Sequence, residues 1–200
     1  MQAGLCDKMT RKTEITARLN FPLKRDKVLE CILYLTGQGL DLTSYRVVKL
    51  LYLADREHLR RFGRPISFDR YVAMENGPVA SHALDIMTRN PSCGVDFERL
   101  PFTILTRGKY QYAESPNRAV NRKLFSKSDF IILDETCQKY GNWNFGQLYD
   151  ETHRHEAYNR IWENRKTMAD PMMFEDFFEG MENQEDIIKQ LEPVASNFRK

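Results

Sequence analysis

The 200-residue chain has the length of one domain and enough side chains to bury a core. Its 42 % apolar and 12 % aromatic content and a net charge of +2 are those of an ordinary globular protein, and the charge by itself is too small to imply nucleic acid. Cys6, Cys31, Cys93 and Cys137 lie too far apart for a zinc knuckle or a disulfide scaffold, and no apolar run approaches the ~20 residues of a membrane span or resembles a secretory leader, so reduced thiols in the cytoplasm are expected.

In chain order, residues 1–24 are polar and basic and read as a solvated lead-in, with room for a short strand near Leu19 to Leu23. Asp26 to Gly37 reads as a helix because Val28, Leu29, Ile32, Leu33 and Leu35 recur at helical spacing. A second helix, about residues 44–62, follows closely, with Thr43 or Ser44 as N-cap. Its apolar arc is wide enough to predict contact with neighbours on most sides, which makes it the central element of the fold. Tyr45, Lys49, Tyr52 and Arg56 form a stripe on its less apolar side.

Gly63-Arg64-Pro65 ends that helix, and Arg70 to Met74 reads as a short extended segment. Asn76-Gly77 permits a sharp turn, and Pro78 suits the first position of a third helix running to Thr88. Residues 91–101 read as irregular. Phe102 to Leu105 and Tyr110 to Ala113, split by Arg107-Gly108, give a β-hairpin signal. Ser126 or Ser128 opens a helix with Phe130, Ile131, Leu133 and Cys137 facing inward, and Asn144 caps another running toward His155. The acidic stretch from Met168 carries Met172, Met173, Phe174, Phe177 and Phe178 and predicts one or two short helices with a frayed end. The expected architecture is α+β and predominantly α-helical, a compact bundle around the central helix with a small antiparallel hairpin at about 102–113.

Chemistry-bearing groups are few. Asp55 and His58 sit one turn apart within the apolar arc, as either an acid/base pair or two buried groups tying the helix to a neighbouring loop or to an arginine such as Arg70. With no activated nucleophile or metal set nearby, the structural reading is preferred. His153 and His155 diverge by ~200° on a helix and cannot share an ion, so no metal is expected. Gly77-Pro78 lacks the spacing of a phosphate loop. No cofactor and no catalytic residue is therefore assigned, and a surface remains: Lys49, Arg56, Tyr71, Glu75 and Asn76 are the candidate partner-binding residues.

Lys49 to Leu59, Phe62-Gly63-Arg64-Pro65-Ile66, Arg70 to Met74 and Gly77-Pro78-Val79 together resemble the SocA-like antitoxin family, also called the Panacea domain and formerly known as phage-associated GepA-like proteins. The likeness continues more weakly through Tyr140-Gly141, Leu148, Thr152-His153 and Trp162, although no proline precedes Trp162 between Arg154 and Ile161 as the family pattern has it. Within that pattern Asp55, His58, Gly63, Gly77, Pro78 and Trp162 are the structural positions. The resemblance implies a domain at 25–165, flanked by the lead-in and by an acidic extension at 166–200. It also implies an antitoxin that binds a cognate protein toxin encoded by the adjacent gene, with delivery to a AAA+ protease in the namesake member. No DNA-binding domain is expected in the short lead-in. The alternative is a phage-related nucleic-acid binder using the lead-in and Arg56, Arg60 and Arg61; nucleic acid and membrane are not the expected partners.

Overall fold

The computed structural model describes residues 17–198, and the expectations for residues 1–16, Cys6 among them, lie outside the described residues. Seven helices are found there: α1 (Arg25–Thr36), α2 (Ser44–Phe62), α3 (Ser81–Met87), α4 (Lys127–Tyr140), α5 (Phe145–His153), α6 (Glu156–Glu163) and α7 (Gln184–Asn197). The strands are β1 (Tyr71–Met74), β2 (Gly77–Ala80), β3 (Thr103–Arg107), β4 (Tyr110–Glu114) and β5 (Asp170–Met172). The fold is α+β and predominantly helical, as the periodicities require.

α2 is the axis. Thr43 Oγ1 accepts from Arg46 N at 3.1 Å at its start, and Gly63 ends it with a left-handed φ of 73° that a side chain would resist. Between these caps α2 packs against α1, α3, α4, α5, β2, β4 and a 3-10 turn at Phe174–Phe178. Val47, Val48, Leu50, Leu51, Ala54 and Leu59 are all essentially inaccessible. No helix among the described residues is long and apolar enough to cross a membrane.

The β3–β4 hairpin lies where the sequence places it, and an isolated bridge from Thr43 to Tyr112 ties it to the start of α2. A three-stranded sheet was less visible. β1 pairs antiparallel with β2 through the Glu75-Asn76 turn and on its other side with β5, in the order β2-β1-β5. The helix expected to start at Pro78 starts instead at Ser81, because pairing with β1 holds residues 77–80 extended. Pro78 is tolerated there because β2 is an edge strand, where a missing N–H leaves no ladder bond unmade. The N-terminus of α3 is served by Asp69, whose carboxylate accepts from His82 N and Ala83 N, both at 2.9 Å.

Two further expectations are corrected. Leu19 to Leu23 is not a strand, yet Leu19 and Phe21 are buried, Phe21 edge-on to Phe68 and Phe174. Ile131 is 47 % exposed, and Ile132 takes the inward position, since α4 opens at Lys127 with Ser126 and Asp129 forming a reciprocal capping box. The helix expected from Asn144 toward His155 is α5, Phe145–His153, and a break at Arg154 separates it from α6.

The segment after Met168 closes the core. Phe177 and Phe178 are 1 % and 0 % exposed, and the Phe177 ring meets Tyr52 at 5.3 Å and Tyr71 at 5.2 Å, both edge-on. Phe177→Ala therefore removes a ring from a site that cannot collapse around it and is expected to cost about 3–5 kcal/mol in urea unfolding. A loss below about 1 kcal/mol would mean that the segment merely lies on the surface.

Candidate functional site

Asp55 and His58 both enter the interior, at 0 % exposure, and both are fully engaged in holding α2 to its neighbours. Asp55 Oδ1 accepts from Ile66 N and Ser67 N, each at 2.8 Å; Oδ2 accepts from Ser67 Oγ at 2.5 Å and from Tyr71 Oη at 2.7 Å. Burial pushes this carboxyl upward, and the four donors pull against the shift. Ser67 Oγ also accepts from Asp69 N at 3.1 Å, so the α2 anchor and the acid that serves α3 form one network. Burial raises Asp69 to about 7 despite its backbone donors.

His58 Nδ1 donates to the Arg64 carbonyl at 2.7 Å, while Nε2 lies 3.0 Å from Ser128 Oγ and 3.1 Å from Asp129 Oδ1. Asp129 also meets Lys27 Nζ and Arg64 Nη2, both at 2.6 Å. One carboxylate thus joins α1, α2, the α2–β1 connection and α4. Burial acts to raise its pKa, but the His58 and Lys27 hydrogen bonds and the neighbouring charges of Arg64 and Lys27 outweigh it and hold the group below the usual carboxylate range. The partners of Asp55 and His58 come from the α2–β1 connection, the first residue of β1 and the head of α4, and Arg70 is not among them. Among the described residues no group of three or more His, Cys, Asp or Glu is arranged to hold a metal ion.

The expected binding surface divides. Lys49 and Tyr71 are removed from it: Lys49 is 0 % exposed and donates to the Pro78 carbonyl at 2.8 Å, and Tyr71 is 3 % exposed under the Phe174–Phe178 turn. Lys49 and Arg56 do share a face of α2, but β2 and the end of α5 cover the half around Lys49. A helical wheel shows a stripe and cannot show what lies across it. Burial alone depresses the Lys49 pKa well below the ordinary lysine value. An added Cβ on Gly77 would stand 2.6 Å from Lys49 Nζ and 2.9 Å from Thr152 Oγ1, which explains the glycine together with its φ of 96°.

Arg56, Glu75 and Asn76 remain accessible, and Arg56 makes no ion pair among the described residues. Behind Arg56, Tyr52 Oη is hydrogen-bonded to His155 Nδ1 at 2.9 Å; burial and the Arg56 and Arg60 charges push His155 down to about 3, so the imidazole stays neutral.

A larger feature escaped the sequence reading. Phe145, Tyr149 and His153 occupy one face of α5, with ring centroids 5.9 Å and 3.6 Å apart. The series continues across the corner to Tyr158 and Trp162 on α6, at 4.5 Å and 6.3 Å, and Arg165 stacks on Trp162 at 3.9 Å. Phe145 is 55 % exposed and also rests on Tyr45 at 4.5 Å. The Tyr158 hydroxyl donates to the Met74 carbonyl at 2.9 Å, which sets the stripe beside the exposed Glu75-Asn76 turn. The spacing i, i+4, i+8 of Phe145, Tyr149 and His153 was the available signal. Of this series Phe145 is exposed, Tyr149, His153 and Trp162 are half-buried, and Tyr158 is wholly buried and anchors the others to the core.

Residues 47–159 match the family described as antitoxin SocA-like, Panacea domain. That span is more than half of the chain, and the protein belongs to this family. It runs from within α2 to within α6 and includes the aromatic stripe up to Tyr158. No curated protein and no solved structure matches the chain.

Asp55→Ala leaves four donors facing an emptied site and is expected to destabilise the fold by about 3–5 kcal/mol, read as a lower melting temperature; an unchanged melting temperature would overturn the anchoring role. For Asp129, whose folded pKa lies below the unfolded value of about 3.9, the stabilisation is present above that value and is lost as pH falls toward the folded one. Asp129→Asn should therefore be less stable than the parent at pH 7 and show a shallower loss on acidification from pH 5 to 2. Parallel stability–pH curves for the two proteins would contradict this.

Proposed function

We propose that this chain is an antitoxin that neutralises a protein toxin, the product of the neighbouring gene, by direct stoichiometric binding, with no substrate transformed. Family membership supports the toxin as partner, and the exposed Phe145 with the half-buried Tyr149, His153 and Trp162 beside it supports the manner of binding. Aromatic side chains offer large, rigid contact area at small entropic cost, and interface energy concentrates in such anchors. Phe145 is the anchor of the proposed interface. Glu75 and Asn76 form its polar rim on one side, and Arg56, without an ion pair among the described residues, contributes charge on the other side of the α5–α6 corner. An interface of ordinary size, about 800 Å² on each partner, would accommodate all of these. Delivery of the bound toxin to a AAA+ protease would be a further step, read as a shortened toxin half-life in cells that carry this chain.

The reading is tested by co-expression with the adjacent open reading frame. The parent chain is expected to restore growth and to co-purify with the toxin at a fixed ratio. Phe145→Ala and Glu75→Lys together should weaken binding by about 2 kcal/mol or more, roughly thirtyfold in Kd, while the melting temperature stays within a degree or two because both side chains are exposed. A harmless neighbouring gene product would overturn the function; full rescue by the double variant would overturn the surface. Steeply salt-dependent binding to nucleic acid without a protein partner would favour the alternative class.

A further inference from the structure

A recess of about 760 Å³ lies away from the aromatic stripe, between the start of α1, the α2–β1 connection and the entry to α4. That is within the ~300–1,000 Å³ typical of small-ligand pockets. Lys24, Lys27, Arg64 and Lys123 line it, against the carboxylates of Asp26 and Asp129. Asp129 is already committed: Lys27, Arg64 and His58 all converge on it. Lys24 and Lys123 make no ion pair with a carboxylate among the described residues.

Lys24 is placed as a bare cation would not choose to be. It occupies the N-cap position of α1 with no side-chain cap, beside backbone N–H groups that favour an anion and with Asp26 as the acidic residue of the first turn. Burial and the charges of Lys27 and Arg64 depress its pKa. Its ammonium is held 4.3 Å and 4.6 Å from the Phe68 and Phe198 ring centroids, and Lys27 Nζ lies 4.1 Å from that of Phe125, so the cations are seated on an aromatic floor. A bound anion would offset the repulsion that Lys24 meets from Lys27 and Arg64, and the three rings and Leu124 would cover an apolar body attached to it.

We infer that this recess is a binding site for a small organic phosphate, with Lys24, Lys123 and Arg64 on the phosphate and Phe68, Phe125 and Phe198 against its apolar or aromatic part. The site is independent of the toxin-binding surface, and either reading can fail without the other.

Calorimetric titration of the full chain with phenyl phosphate, in low-salt buffer, provides the test. Saturable one-to-one binding is expected, tighter than inorganic phosphate by about tenfold or more because only the former covers the rings. Lys24→Gln with Lys123→Gln should weaken it at least tenfold, while Lys139→Gln, an exposed lysine outside the recess, should leave it unchanged. The absence of saturation with the parent chain overturns the proposal whether or not the variants fold, as does equal affinity for the two phosphates or an unaffected double variant. Co-flotation with phosphatidate vesicles would assign the site to a lipid phosphate and overturn the soluble ligand; no flotation supports it.

Discussion

A helix enclosed on most sides takes its polar side chains into the interior with it, and every one must then be answered there. This constraint governs the fold. On α2, Asp55 is answered by the backbone of Ile66 and Ser67 and by two hydroxyls, His58 by the Arg64 carbonyl and the head of α4, and Lys49 by the Pro78 carbonyl. Each answer comes from a different part of the chain. The loop after α2, the edge strand and the fourth helix are thereby fixed relative to one axis by directional bonds, where apolar packing alone would permit sliding.

The rigidity has a use at the surface. The α5–α6 corner is clamped by Tyr52 to His155 and by Tyr158 to the β1–β2 turn, so the rings displayed along it are already ordered before any partner arrives. Ordering in advance lowers the entropic cost of any association at such a surface. The same body leaves a separate, positively charged recess at the mouth of α1, outside that corner.

Much of this was readable from residue order. The central helix with its Thr43 cap and Gly63 stop, the β3–β4 hairpin, and the Ser126 and Asn144 caps all rest on local signals that operate within a few residues. What failed was non-local. Lys49 and Tyr71 looked like surface because nothing in their own helix or strand announces that β2, α5 and the Phe174–Phe178 turn lie over them. Pro78 looked like a helix start because proline fits that position as well as it fits an edge strand, and only pairing with β1 decides. The aromatic series is a different case: the spacing of Phe145, Tyr149 and His153 is local and was available, but its continuation onto Tyr158 and Trp162 depends on how α6 turns after Arg154.

β1 is flanked by one partner only a few residues later in the chain and by another nearly a hundred residues later: Ala73 opposes Pro78 on one side and Asp170 on the other. During synthesis, then, the first hairpin can close while its outer edge still stands open, and Tyr52 and Tyr71 wait for Phe177 to emerge from the ribosome. A chain that stops short of β5 and Phe177 would leave β1 with an open edge and Tyr52 and Tyr71 uncovered, the condition in which partly folded chains are vulnerable to proteolysis.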